Sequence, residues 1–272
     1  MAKAKKGKKR KKKRESRYAK GILAIFKKHY KDGATEVPFN RQELVQVTKG
    51  EVRNIGDLVY YFRYRQPLPD EITNKVQAPR GWIIVPRGAA QYALVIHPTG
   101  GRIMPDLQRQ AILIPDATPE IISAHARSDE QALLAKIRYN RLVDVFTGIT
   151  AESLQNHYRT QITNYGQIEV DEMYVGVDKQ GRQYFLPLEA KGQGGDLSVI
   201  QVGQNIACGR EHFGGLILRP LGAKFLEDGS IVMFRFNVTD KWDEIQKVDE
   251  QRYKLVPQAE IPADQIKPAD AT

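Results

Sequence analysis

The stretch GQIEVDEMYVGVDKQGRQYFLPLEAKG, residues 166–192, sets Glu169 and Asp171 on one strand-like run and Glu189 and Lys191 on the next. Between the runs lies DKQGR, residues 178–182. A three-residue loop ending in glycine suits a type I turn followed by a left-handed residue, a common hairpin connection. With Lys179, Gln180 and Gly181 as that loop, Asp178 faces Arg182, Asp171 faces Glu189, and Glu169 faces Lys191. Side chains alternate along a strand, so all four project from one face. Directly opposed residues have Cβ atoms about 4.5–5.5 Å apart. Two carboxylates at that separation repel unless a cation lies between them. An oxygen-seeking divalent ion, Mg²⁺ or Mn²⁺, satisfies both and also accepts phosphate oxygens. Lys191 could orient or deprotonate an attacking water, or neutralise charge developing at phosphorus. This is equipment for metal-assisted phosphodiester hydrolysis, with water attacking in line and the metal stabilising the leaving oxygen. A solvated hairpin with Glu–Lys pairs explains Glu169 with Lys191, but it leaves Asp171 facing Glu189 as an unfavourable pair.

Val170, Leu188 and Ala190 point to the other face and would hold the hairpin against a helix. Before it, DEQALLAKIRYNRLVDVF (129–146) has helical periodicity. TAESLQNHYRTQI (150–162) follows as a second helix, with Thr150 as N-cap and Glu152 in its first turn. After the hairpin, residues 196–209 read as a helix that starts at Asp196 or Ser198 and stops at Gly209. GGLILRPLGAKFL and SIVMFRFNV then read as strands leading to a polar C-terminal tail, residues 257–272.

Toward the N-terminus, residues 17–30 form a helix, Asn40 caps a short one, and residues 50–65 form another. GWIIVP and QYALVIHP, joined by RGAA, read as a hairpin, and the proline-containing residues 101–125 as a connection. Helices followed by a hairpin are the order of a winged-helix module, whose helix before the hairpin enters the major groove. Arg53, Asn54, Arg63 and Arg65 are then the candidates for DNA contact. A small α+β subdomain that only packs on the rest fits the same pattern.

Asp171 followed by Glu189-Ala190-Lys191 on consecutive antiparallel strands, with a helix before and after, resembles the PD-(D/E)XK nuclease superfamily. The closest likeness is to restriction-type endonucleases with an N-terminal DNA-binding region. The resemblance covers roughly residues 126–240 and is clearest over 150–206. It implies Asp171 and Glu189 as metal ligands and Lys191 as the catalytic lysine. Val170 stands where the name-giving pattern has proline. Members often add an acid from the helix before the hairpin, for which Glu152 is the first choice and Asp144 the second. A glutamine on the following helix sometimes lies near the site; that helix carries Gln201, Gln204 and Asn205, and Gln201 is the candidate taken. Asn156, His157 and Arg159 could touch the scissile phosphate.

The expected fold is mixed α/β, with a restriction-endonuclease-like core of a central mixed sheet flanked by helices. The expected divisions are a disordered basic tail (1–19), a winged-helix-like region with its connection (20–125), the nuclease domain (126–256) and the polar tail (257–272). The implied function is a Mg²⁺-dependent, sequence-specific endodeoxyribonuclease acting on double-stranded DNA. A homodimer and a cognate methyltransferase in the same system are compatible with it. A repair or junction-resolving nuclease, or a DNA-binding regulator with a degenerate nuclease domain, are the alternatives.

Composition sets the outer bounds. The 272 residues carry 41% hydrophobic side chains, enough for a buried core, and 42 Lys and Arg against 32 Asp and Glu. The first fourteen residues hold ten of those basic residues and no acid, which leaves 32 basic against 32 acidic elsewhere. A block of that kind repels itself and is expected to be disordered alone. It attracts polyanions by counterion release without reading sequence. One cysteine, Cys208, excludes an internal disulfide and a multi-cysteine zinc site, and it fits a reducing compartment. Without an apolar leader or a spanning run, the chain is expected to be cytoplasmic.

Overall fold

The computed structural model describes residues 2–125 and 130–263, with side chains from residue 16 onward. Asp129, expected at the start of a helix, and residues 264–272 of the expected C-terminal tail lie outside the described residues. The chain divides into two units: Met1–Arg102 with Gln161–Gln167, and Ile103–Thr160 with Ile168–Thr272.

The first unit begins with α1 (Ala2–His29). Instead of a disordered tail, the basic block continues as backbone helix. Lys and Arg are good helix formers, and the helix is anchored where Ile22, Ile25 and Phe26 bury into a core. Next come β1 (Glu36–Asn40), α2 (Arg41–Val47) and α3 (Ile55–Tyr60). Asn40 caps α2, as the sequence suggested, and Glu43 completes a reciprocal capping box with it. The helix expected over 50–65 is shorter and changes form, because α3 runs into a π-helical stretch, Tyr61–Arg65. After α4 (Asp70–Thr73) the expected hairpin forms from β2 (Gly81–Pro86) and β3 (Gln91–His97). β1 adds to it antiparallel, giving the order β1-β3-β2. Phe39, Leu44, Leu58, Trp82, Ile84 and Leu94 close the core of this unit.

β4 (Arg102–Ile103), β5 (Ala111–Pro115) and α5 (Glu120–His125) follow. Residues 103–125 are thus more than a connection, because β5 pairs in parallel with a strand of the second unit's sheet. The tract expected as one helix is two, α6 (Glu130–Tyr139) and α7 (Leu142–Thr147), separated where Arg141 takes a left-handed φ of 48°.

Residues 150–162, expected as a helix, are β6 (Thr150–Ile162). This strand ends the sheet and buries little beyond Ala151 and Ile162, so no alternating apolar pattern marks it. β7 (Gly166–Val177) and β8 (Gln183–Lys191) form the expected hairpin. β9 (Leu197–Ser198) leads into α8 (Val199–His212), capped by the Ser198 side chain and continuing through Gly209. The chain ends in β10 (Ile217–Leu218), β11 (Leu221–Phe225), β12 (Ile231–Phe236) and β13 (Lys247–Val256). The main sheet is ordered β5-β13-β12-β11-β8-β7-β6, with β11 parallel to β8 and β7 antiparallel to it. It is a large mixed sheet flanked by helices. One face packs Leu133, Leu134 and Ile137 of α6 and Leu142 of α7 against Leu186, Leu188 and Ala190. No helix among the described residues is long and apolar enough to cross a membrane.

Candidate active site

The hairpin turn sets the site. Asp178 N–H donates to Arg182 O at 3.1 Å, Gly181 N–H donates to Asp178 O at 2.9 Å, and Gly181 has φ +76°. Val177 therefore pairs with Gln183, and the same register runs on to Glu172 with Leu188. That is the register read from the sequence. It brings Asp171 and Glu189, the next residues along, to one place.

Their contacts are direct. Asp171 Oδ2 accepts the Ala190 N–H at 2.8 Å, across the hairpin. The Lys191 ammonium donates to Glu189 Oε1 at 2.6 Å and to Ala190 O at 3.0 Å, and lies 3.8 Å from Asp171 Oδ2. Gln201, from the first turns of α8, donates its amide to the same Glu189 oxygen. Glu189 is 1% exposed. Burial, with Asp171 beside it, pushes its carboxyl up to about 8 against the pull of Lys191. Burial works against the Lys191 ammonium, but Glu189 and Asp171 outweigh it and hold the amine above the usual lysine range.

An acid of the preceding helix does lie at this cluster: Glu130, at the start of α6, has its Oε1 3.6 Å from Lys191 Nζ. Glu152 does not fill that place. On edge strand β6 it is 74% exposed and pairs with Arg141 at 3.2 Å. Asp144, the second choice, is held by the same Arg141. Glu130 carried a signal, as one of two adjacent acids, with Asp129, that open the helical tract, but reading 150–162 as a helix drew attention to Glu152.

Glu169 does not pair with Lys191. It accepts from His157 Nδ1 and Arg159 Nε, each at 2.9 Å. These partners hold its carboxyl below the usual range despite partial burial. His157, at φ 48°, also contacts the Gln131 amide of α6. Asn156, His157 and Arg159 thus lie on a strand, with Glu169 drawing two of them to the neighbouring strand. Sequence reasoning missed Glu172, which lies fully buried on the opposite face. It accepts from Arg138 Nε at 2.9 Å and Ser153 Oγ at 2.7 Å, tying α6 to β7. Its signal was one acid among the apolar residues Val170, Tyr174 and Leu188.

In the first unit, Asn54 caps α3 by accepting the Asp57 N–H at 3.3 Å. Arg63 is committed internally rather than to DNA, because it donates to Ile84 O at 2.9 Å and stacks over Tyr92. Arg53 is exposed. Arg65, also exposed, lies over the Tyr60 ring at 4.8 Å.

Among the described residues, no cluster of three or more His, Cys, Asp and Glu is arranged to hold a metal. The donor set at Asp171 and Glu189 is two carboxylates. That suits an ion such as Mg²⁺, which takes one or two carboxylates and completes its shell with water and phosphate oxygens. No family model, curated protein or solved structure matches the chain.

Proposed function

We propose that the protein is a Mg²⁺-dependent endodeoxyribonuclease of the PD-(D/E)XK type, most like a restriction endonuclease. The observation that carries this reading is the convergence of Asp171, from the middle of β7, with Glu189 and the Lys191 ammonium at the end of β8. Two carboxylates on adjacent strands serve a divalent cation, and a cation two residues beyond one of them serves a phosphate. Asp171 and Glu189 would hold the ion, which when bound supplies Lewis-acid stabilisation of phosphate oxygens. Lys191, surrounded by Glu189, Asp171 and Glu130, stays an ammonium. It therefore acts by orienting water and neutralising charge rather than by taking a proton. Gln201 fixes the Glu189 carboxylate from α8.

The element order supports the same reading: helices α6 and α7, strands β6 to β8 and the short β9, helix α8, then β11 parallel to β8. In the first unit, α1, β1, α2, α3 and the β2–β3 hairpin support a winged-helix reading, with Arg53 and Arg65 as the exposed cations for duplex DNA. A single buried thiol suits the cytoplasm.

The test is incubation of purified protein with sequence-diverse duplex DNA and Mg²⁺, followed by mapping of the ends. Defined cut sites that disappear with EDTA and with Lys191→Ala are expected. Intact DNA under all conditions, or an unchanged rate in Lys191→Ala, would overturn the assignment. Cleavage confined to branched substrates would move it to junction resolution.

A further inference from the structure

A second lysine lies beside Lys191. In the parallel register of β8 and β11, Lys224 is the direct partner of Lys191. Register partners on adjacent strands point to the same face and lie about 4.8 Å apart. Two lysines side by side on one face need separate anions. Lys191 has Glu189, while Lys224, only 8% exposed, donates to Asp196 Oδ1 at 2.7 Å.

Asp196 ends the segment Gly192-Gln193-Gly194-Gly195, which leaves β8 directly after Lys191. This segment folds back on the lysine. Gly195 N–H donates to Gly192 O at 3.2 Å, and a Cβ on Gly195 would lie 3.1 Å from Lys191 Cδ and 3.5 Å from its Cβ. The absence of a side chain at Gly195 lets backbone cover the aliphatic stem of Lys191. Gln193 adds a tie to Leu226 O at 3.3 Å, just past the end of β11. Two residues after Asp196, Ser198 caps the helix that carries Gln201.

From this arrangement we infer that the Lys224–Asp196 pair is a latch. It holds the glycine-rich segment over the Lys191 stem and keeps Lys224 away from the carboxylates that Lys191 needs. Lys224 is a positioning residue, acting through Lys191. The inference rests on the reading of Lys191 as the catalytic lysine, but its structural core is testable without cleavage. Without Asp196, Lys224 turns to Glu189 and Asp171 and competes with Lys191. Without Lys224, the segment lifts and the stem is uncovered. Either change exposes Lys191.

The experiment is reductive methylation of the full chain with formaldehyde and cyanoborohydride, read at Lys191 by peptide mass spectrometry and normalised to exposed Lys179. Asp196→Asn and Lys224→Met should each raise the Lys191 rate at least about fivefold, and Lys224→Arg, which keeps the ion pair, should restore protection. In parallel cleavage assays the first two variants should lose kcat with little change in KM. Unchanged Lys191 labelling in folded Asp196→Asn and Lys224→Met overturns the latch, whatever the activity. Raised labelling in a protein that never cuts DNA upholds the latch and removes the nuclease reading. Should Lys224→Met fail to fold, Asp196→Asn beside Lys224→Arg decides the matter alone.

Discussion

Replacing Glu189 by glutamine should damage activity and improve metal-free stability, and the second effect should depend on pH. The carboxyl is fully buried, and its proton is held up to about 8, against an ordinary value of 4.5. The folded chain therefore keeps a proton that the unfolded chain releases. For such a group, stability is complete below the unfolded value and is lost as pH rises through the folded one. Each pH unit in that window removes about 1.4 kcal/mol, or roughly 3 kcal/mol by neutral pH. Glu189→Gln takes the titration away. Its amide offers Lys191 a weaker acceptor, which returns about 1 kcal/mol. The net expectation is about 2 kcal/mol of stabilisation at neutral pH in EDTA, or roughly 4–8 °C in melting temperature.

The assay is thermal melting of wild type and variant in EDTA at steps from about pH 5 to about pH 8. The gap should be small at the acid end and widen steadily. Added Mg²⁺ should raise the wild type and leave the variant nearly unmoved, because a ligand stabilises only the fold that binds it. A variant that melts at or below the wild type near the alkaline end would refute the reasoning. So would a gap that does not change with pH, since it would mean that Glu189 is ionised in the folded protein throughout.

Three other expectations follow from the same geometry. Glu130→Gln should reduce Mg²⁺-dependent cleavage by about 10- to 100-fold, the usual effect of losing an outer partner of a metal site; Glu152→Gln should stay within about twofold, measured as kcat/KM on one duplex. Arg138→Met leaves Glu172 buried without its cation and should cost about 2–3 kcal/mol in urea unfolding, below the full value for a buried pair because the Arg138 side chain is 41% exposed. Deleting residues 2–14 should weaken binding to all DNA alike and flatten its salt dependence while leaving the cut sites unchanged; a shifted cut site would show that this segment reads bases.

The hairpin was legible because its determinants are local. Gly181 can take the left-handed conformation that closes a three-residue loop, and once the loop is set every pair down to Glu172 and Leu188 follows. The Asn40 cap was legible for the same reason, since an N-cap and the N–H it accepts lie within one turn. β6 was not, because its identity comes from its neighbour. Thr150 followed by Glu152 imitates a helix start, and a strand at the end of a sheet that faces solvent for most of its length has no alternation to reveal it. β7 is its sheet partner, and at its start the Ala151 N–H and C=O are met by the Asp144 and Arg141 side chains.

Glu130 was hidden by a longer chain of dependence. It reaches Lys191 because α6 lies where it does, and α6 is set by the burial of Leu133, Leu134 and Ile137 and by the Arg138–Glu172 bond through the opposite face of the sheet. One helix therefore presents an acid to Lys191 on one face from its first residue and is anchored on the other face two turns later. The carboxylates that a sequence places on a single hairpin are half of the arrangement. The rest, Glu130, Gln201 and the Lys224–Asp196 pair, comes from elements far along the chain, and the sheet order and the parallel crossover from β8 to β11 bring them to the same end. Local patterns specify which residues carry the charge. Which of them share it is decided by the topology.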